Sequence, residues 1–174
     1  EQLHAERLGG SGFAERQVQR MDVAAAHVEH AAYIVVAGDD LANLLLIEDF
    51  QLQIEHALDL EGHQLALFID AGTGTPAPFD FREIGPAATR PVSSHALAPE
   101  AVLQVYADIQ RRPPPAAFVL CVCGEDFRLG EGLSPAAERN LAAARGHLER
   151  CLEQADPACW RRYIDSLAAS ELST

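Results

Sequence analysis

Leu65-Ala66-Leu67-Phe68-Ile69 is an apolar run with no polar residue to turn toward water on either side. A half-buried strand alternates apolar and polar residues, and an amphipathic helix repeats its apolar residues every three or four. An unbroken run this short fits a strand covered on both faces. Ala117 to Cys123 is a second such run, and Tyr33 to Ala37 and Leu44 to Ile47 are shorter ones. Segments with helical spacing separate them. Strands that are apolar throughout and alternate with helices are the pattern of parallel sheets sandwiched between helices. The expected fold is therefore α/β, a three-layer α/β/α sandwich around a mostly parallel sheet. In such sheets ligands collect in the crevice beyond the carboxyl ends of the strands.

Local signals place the helices. Residues 1–8 read as helix and are broken by Gly9-Gly10-Ser11-Gly12; Glu15 to Ala32 reads as a second. Gln51 to Leu60 has Leu52, Glu55-His56 and Leu58-Asp59 at helical spacing. Pro99 opens a helix to Gln110 with Val102, Val105, Tyr106 and Ile109 as its apolar stripe, and Pro113-Pro114-Pro115 stop it. Ser134-Pro135 is a cap followed by a first-turn proline, and Leu141, Ala144, Leu148 and Leu152 face inward behind it. Asp156-Pro157 repeats that signal before a tail helix bearing Trp160, Tyr163, Ile164 and Leu167 on one side. Phe79-Asp80-Phe81 alternates, as an edge strand does.

Charge and cysteine content narrow the function. The chain carries 26 acidic against 13 basic residues, a net charge of −13. A nucleic-acid or anionic-lipid surface needs the opposite sign. No apolar stretch reaches the ~18 residues of a membrane span, and the first residues alternate charged and small types, unlike a secretory signal. The chain opens on Glu1 rather than Met, as expected of a piece of a longer product. Cys121, Cys123, Cys151 and Cys159 match no zinc spacing and are read as reduced, packing thiols of a cytoplasmic protein.

Few residues are placed for chemistry. Asp70 ends the Leu65–Ile69 run and precedes Ala71-Gly72-Thr73-Gly74. A carboxylate at a buried strand end needs compensation, from turn amides or from a cation, and both remain open. His95, in Ser93-Ser94-His95, stands just before the Pro99 helix, where the positive end of the dipole favours the neutral, metal-binding imidazole; a loop histidine with one hydrogen bond is the other reading. Asp40, after Gly38-Asp39, is either a solvated turn acid or a third ligand. His27 and His30 are three apart, whereas helical zinc-protease histidines are four apart. No G-x-S-x-G or GK[S/T] motif occurs, and Gly72-x-Gly74 is too short for a dinucleotide site.

Four stretches, in order, resemble the [NiFe]-hydrogenase maturation endopeptidases: IEDFQLQIEHALDL (47–60), ALFIDAGTGTPAPFDF (66–81), SSHALAPEAVLQVY (93–106) and GEDFRLGEGLSPAAERNL (124–141). The likeness runs from about Leu46 to Leu152 and is strongest to the subgroup that processes soluble NAD-linked hydrogenases. It implies one domain over 1–174, with 1–45 atypical for the family and 156–174 an additional C-terminal helix. It also implies removal of a C-terminal extension from a hydrogenase large-subunit precursor after nickel insertion, without a serine or cysteine nucleophile. Asp70 and His95 match the family's aspartate and histidine, which with a carboxylate from the first strand–helix loop engage nickel carried by the precursor. No tightly bound cofactor is expected. The residues before Leu46 depart from the family's order of strand, G-N-x-x-x-G-D-D-type loop and long helix. Either that loop lies upstream of Glu1 and 15–43 is inserted or replaced, which leaves the cluster incomplete, or Asp40 serves as the third ligand. Two other functions stay in view: a non-catalytic assembly factor that binds the nickel-loaded precursor, and a small-molecule hydrolase or nucleotide binder on a similar sheet.

Overall fold

The computed structural model describes residues 32–37, 45–49, 51–87, 97–128 and 132–171. The helix expected over 1–8, residues 15–31 of the helix expected over 15–32, the His27/His30 pair, Asp40 and His95 lie outside the described residues, and Ala32 belongs to a strand. In chain order the elements are β1 (Ala32–Ala37), β2 (Leu45–Asp49), α1 (His56–Asp59), β3 (Leu65–Gly72), β4 (Phe79–Ile84), α2 (Pro99–Gln110), β5 (Ala116–Cys123), α3 (Pro135–Glu153) and α4 (Pro157–Glu171). No helix among them is long and apolar enough to cross a membrane.

The five strands form one sheet in the order β2-β1-β3-β5-β4, which places the chain in the α/β class. The sheet is mixed. β3 and β5 run parallel, whereas β1 is antiparallel to both β2 and β3, and β4 is antiparallel to β5. The expectation of a mostly parallel sheet is corrected on this point, and for β1 and β2 link length gives the reason. A parallel neighbour needs a crossover of a dozen or more residues. Only residues 38–44 separate β1 from β2, too few for one. The passage from β3 to β5 contains α2 and is long enough. β4 takes the edge position expected of its alternating residues.

The continuous apolar runs are explained by cover on both faces. Leu65, Leu67 and Ile69 of β3, with Phe118, Leu120 and Val122 of β5, pack under Ala144, Leu148, Cys151 and Leu152 of α3 and Trp160 of α4. Ala66 and Phe68, with Ala117 and Val119, pack under Ala57 of α1 and Val102, Leu103 and Tyr106 of α2. The alternation of strand side chains assigns each residue its face. On α2 the buried set is Ala101, Val102, Leu103 and Tyr106, while Ile109 is 55% exposed, so the covered arc is shifted from the expected stripe.

The helix expected over Gln51–Leu60 shrinks to the single turn of α1. Before it the His56 Nδ1 accepts the Gln53 N–H at 2.9 Å, and the chain turns through three-residue bonds such as His56 N–H to the Gln53 carbonyl. Both later caps form as expected. Ser134 Oγ accepts the Ala137 N–H at 3.1 Å, and Asp156 Oδ1 accepts the Cys159 N–H at 2.8 Å. Trp160 Nε1–H donates to the Cys151 and Gln154 carbonyls at 2.8 and 3.0 Å. Both carbonyls also accept backbone amides, from Gln154 and Asp156, so the indole adds a second bond to each and fastens α4 to α3.

Candidate functional site

The crevice lies at the carboxyl ends of β3 and β5. Asp70 is inside β3, not after it, because the strand continues to Gly72. Its side chain is exposed, directly after five buried residues, so the expected burial of this carboxylate is corrected. Asp70 shares the face of Ala66 and Phe68 but emerges past the helices that cover them. Its Oδ1 accepts the Ala71 N–H at 2.8 Å. That amide is one of the compensating turn amides expected from the sequence, although water also reaches the group.

Register sets the neighbours of Asp70. Asp70 is opposite Cys121 on β5, and Cys121 is opposite Asp80 on β4, so the three lie in one row on one face. Cys121 is half-buried, with Sγ 3.0 Å from Thr75 Oγ1. Burial pushes the Cys121 thiol up, the Thr75 hydroxyl works against it, and the Asp70 and Asp80 carboxylates add to the rise. The group is a neutral thiol at neutral pH, unsuited to act as a nucleophile. Asp80 Oδ2 accepts from Arg82 Nε at 3.1 Å, and Arg82 Nη1 donates to Glu100 Oε1 at 3.3 Å. Edge strand and first turn of α2 are tied together by this exposed relay.

Two glycines shape the crevice. Gly72 offers its carbonyl to the Thr75 and Gly124 amides at 3.4 and 3.1 Å. A Cβ on Gly124 would overlap the tip of the Phe127 ring, so the aromatic closes down on bare backbone. Beside them Asn140 Nδ2 donates to the Cys123 carbonyl at 2.9 Å, and Ser134 Oγ donates to Glu125 Oε2 at 2.9 Å. The amino end of α3 is thereby fixed to the end of β5, with an acidic side chain already at its positive pole.

Among the described residues two histidines are buried. His56 is held between the Gln53 amide and Asp49, whose Oδ2 is 3.4 Å from Nε2. His147 is enclosed by the rings of Phe79, Phe81 and Tyr163, with Nε2 3.5 Å from Cys151 Sγ. Burial, reinforced by Arg150, pushes His147 down to about 4, and burial pushes the Cys151 thiol up to about 12. This is a neutral imidazole–thiol pair inside the core, not an activated dyad. The apolar spacing of Leu141, Ala144, Leu148 and Leu152 does not single it out. The available signal was position: His147 and Cys151 are four apart, three residues after Ala144 and Leu148 on the same inward arc. The Thr75–Cys121 contact was also invisible in the sequence; its only sign was a cysteine at the end of a buried strand, level with Asp70.

Of the three residues expected to engage metal, Asp70 is placed at the crevice, and His95 and Asp40 are outside the described residues. Among the described residues no three His, Cys, Asp or Glu side chains converge to hold a metal ion, and none of the four cysteines is in a disulfide. Compared with family models, curated proteins and solved structures, the chain finds no match in any of the three.

Proposed function

We propose that this chain is an endopeptidase of the [NiFe]-hydrogenase maturation type, which removes the C-terminal extension of a large-subunit precursor once nickel has been inserted. The observation that carries the reading is the exposed Asp70 carboxylate at the carboxyl end of β3, beside the parallel strand β5. It stands where α/β sheets gather ligands, within the sequence stretch that resembles the family. Helices on both faces of the sheet agree with a three-layer sandwich, and we read the fold so.

In this reading nickel arrives with the substrate, and carboxylate with imidazole is a donor set suited to a borderline divalent ion. Asp70 and His95 engage the nickel of the precursor. Asp40 is the third donor, unless that donor belongs to a loop upstream of Glu1. The neutral thiol of Cys121 agrees with hydrolysis that uses no cysteine nucleophile. The net charge of −13 suits a basic docking face on the precursor, and the proposed setting is the cytoplasm.

The test is incubation with nickel-loaded precursor, read as the loss of mass of the C-terminal peptide. Asp70→Ala and His95→Ala are each expected to abolish processing while the circular dichroism spectrum is retained; Asp40→Ala does so only if Asp40 is the third donor. Unaltered cleavage by the Asp70 or His95 variant overturns the site. Binding of the precursor by the native chain without cleavage overturns the peptidase reading in favour of an assembly factor.

A further inference from the structure

The ladder between β3 and β5 ends at the Gly72–Cys123 pair, only two residues past Asp70. Strand ends fray unless something beyond the ladder holds them. Beyond this one, Thr75 turns back: its amide meets the Gly72 carbonyl, and its hydroxyl meets the Cys121 thiol at 3.0 Å across 46 residues of sequence. Gly124 bonds the same Gly72 carbonyl from the β5 side. The packing there is close, since a Cβ on Gly72 would stand 3.1 Å from Thr75 Oγ1 and 3.6 Å from Cys121 Sγ.

We infer that Thr75 and Cys121 are a positioning pair, whose side-chain contact fastens the turn after β3 onto β5 and so holds the Asp70 carboxylate at its place in the crevice. This rests on the reading of Asp70 as an acting carboxylate. Neither partner acts on substrate; each occupies the other. Cys121 is the direct cross-strand neighbour of Asp70, so movement of the thiol opens the space beside the carboxylate. The Ala71 amide, which donates to Asp70 Oδ1, reports the position of that carboxylate without reference to any reaction.

Thr75→Val removes the hydroxyl and keeps the shape, while Thr75→Ser keeps the hydroxyl. Hydrogen exchange of the Ala71, Thr75 and Gly124 amides is measured in each, with Leu67 and Ile69 as core controls, alongside processing of nickel-loaded precursor. In Thr75→Val the three crevice amides are expected to exchange about fivefold faster, the size of one lost side-chain hydrogen bond, with the core amides unchanged. Processing is expected to lose about tenfold in kcat at constant KM, and Thr75→Ser restores both. Cys121→Ala repeats the loss and Cys121→Ser retains the contact, which provides a second route should the valine variant fold poorly. Full protection of Ala71 in both Thr75→Val and Cys121→Ala overturns the positioning pair, whatever processing does. Faster exchange with unaltered kcat, in a protein whose Asp70→Ala variant is dead, overturns its bearing on Asp70. Active Asp70→Ala is a separate result: it refutes the site proposed at Asp70, as absence of processing by the native chain refutes the peptidase reading, and in either case the amide measurements alone decide whether the pair holds the carboxylate.

Discussion

Acid should destabilise this fold through one side chain. His147 is 2% exposed, enclosed by Phe79, Phe81 and Tyr163 on the face where α3 and α4 meet the sheet. Its proton affinity falls from the ordinary 6.5 to about 4, chiefly through burial and secondarily through Arg150. The folded state therefore binds the proton less well than the unfolded chain, and stability must drop as pH falls through the interval from 6.5 to 4. Each tenfold in proton affinity is worth about 1.4 kcal/mol, so the full loss is about 3 kcal/mol once the pH is below 4. At pH 5 the unfolded imidazole is almost fully charged and the folded one almost fully neutral, and the loss relative to pH 7.5 is about 2 kcal/mol. A domain of this size has a total stability on the order of 10 kcal/mol, so the effect is readily measured. The assay is urea denaturation by circular dichroism at pH 7.5 and 5.0, for the native chain and for His147→Leu. Carboxylates titrate in both proteins and cancel in the difference. The native chain should lose about 2 kcal/mol more than the variant between the two pH values. Equal losses in the two proteins would refute the assignment of a neutral, desolvated imidazole at this position.

Two further expectations concern the frame of the crevice. Gly124→Ala places a methyl against the Phe127 ring and should destabilise by about 1–3 kcal/mol, the usual range for overpacking; in a Phe127→Ala background the same substitution should be nearly neutral, and a double-mutant cycle with no coupling would reject the contact. Ser134→Ala removes the acceptor for the Ala137 amide and the donor to Glu125, and should lower the urea midpoint by the equivalent of about 1 kcal/mol, as a lost N-cap does.

The strands and both later helix caps are legible in the chain because each depends on neighbours within a few residues, and the double-sided burial of Leu65–Ile69 is legible because that run carries no polar residue. Strand direction is not. An apolar run has the same composition whichever way it points, so the mixed sheet follows from connection lengths and from which strands finally pair. The single turn of α1, in place of a helix over 51–60, is likewise not visible in spacing, nor is the bond from the Gln53 amide to His56.

Asp70 shows the division most clearly. The sequence alone determined that an acid would stand at the carboxyl end of a central strand, because the apolar run and the glycine turn fix its place along β3. Only the tertiary structure decided that this acid would be open to solvent, and that Cys121 and Thr75 would stand beside it. Burial depends on where the helices that cover a sheet come to an end, and cross-strand neighbours depend on register between segments far apart in the chain. Neither quantity is carried by local residue order; both are settled when the packed faces close on one another.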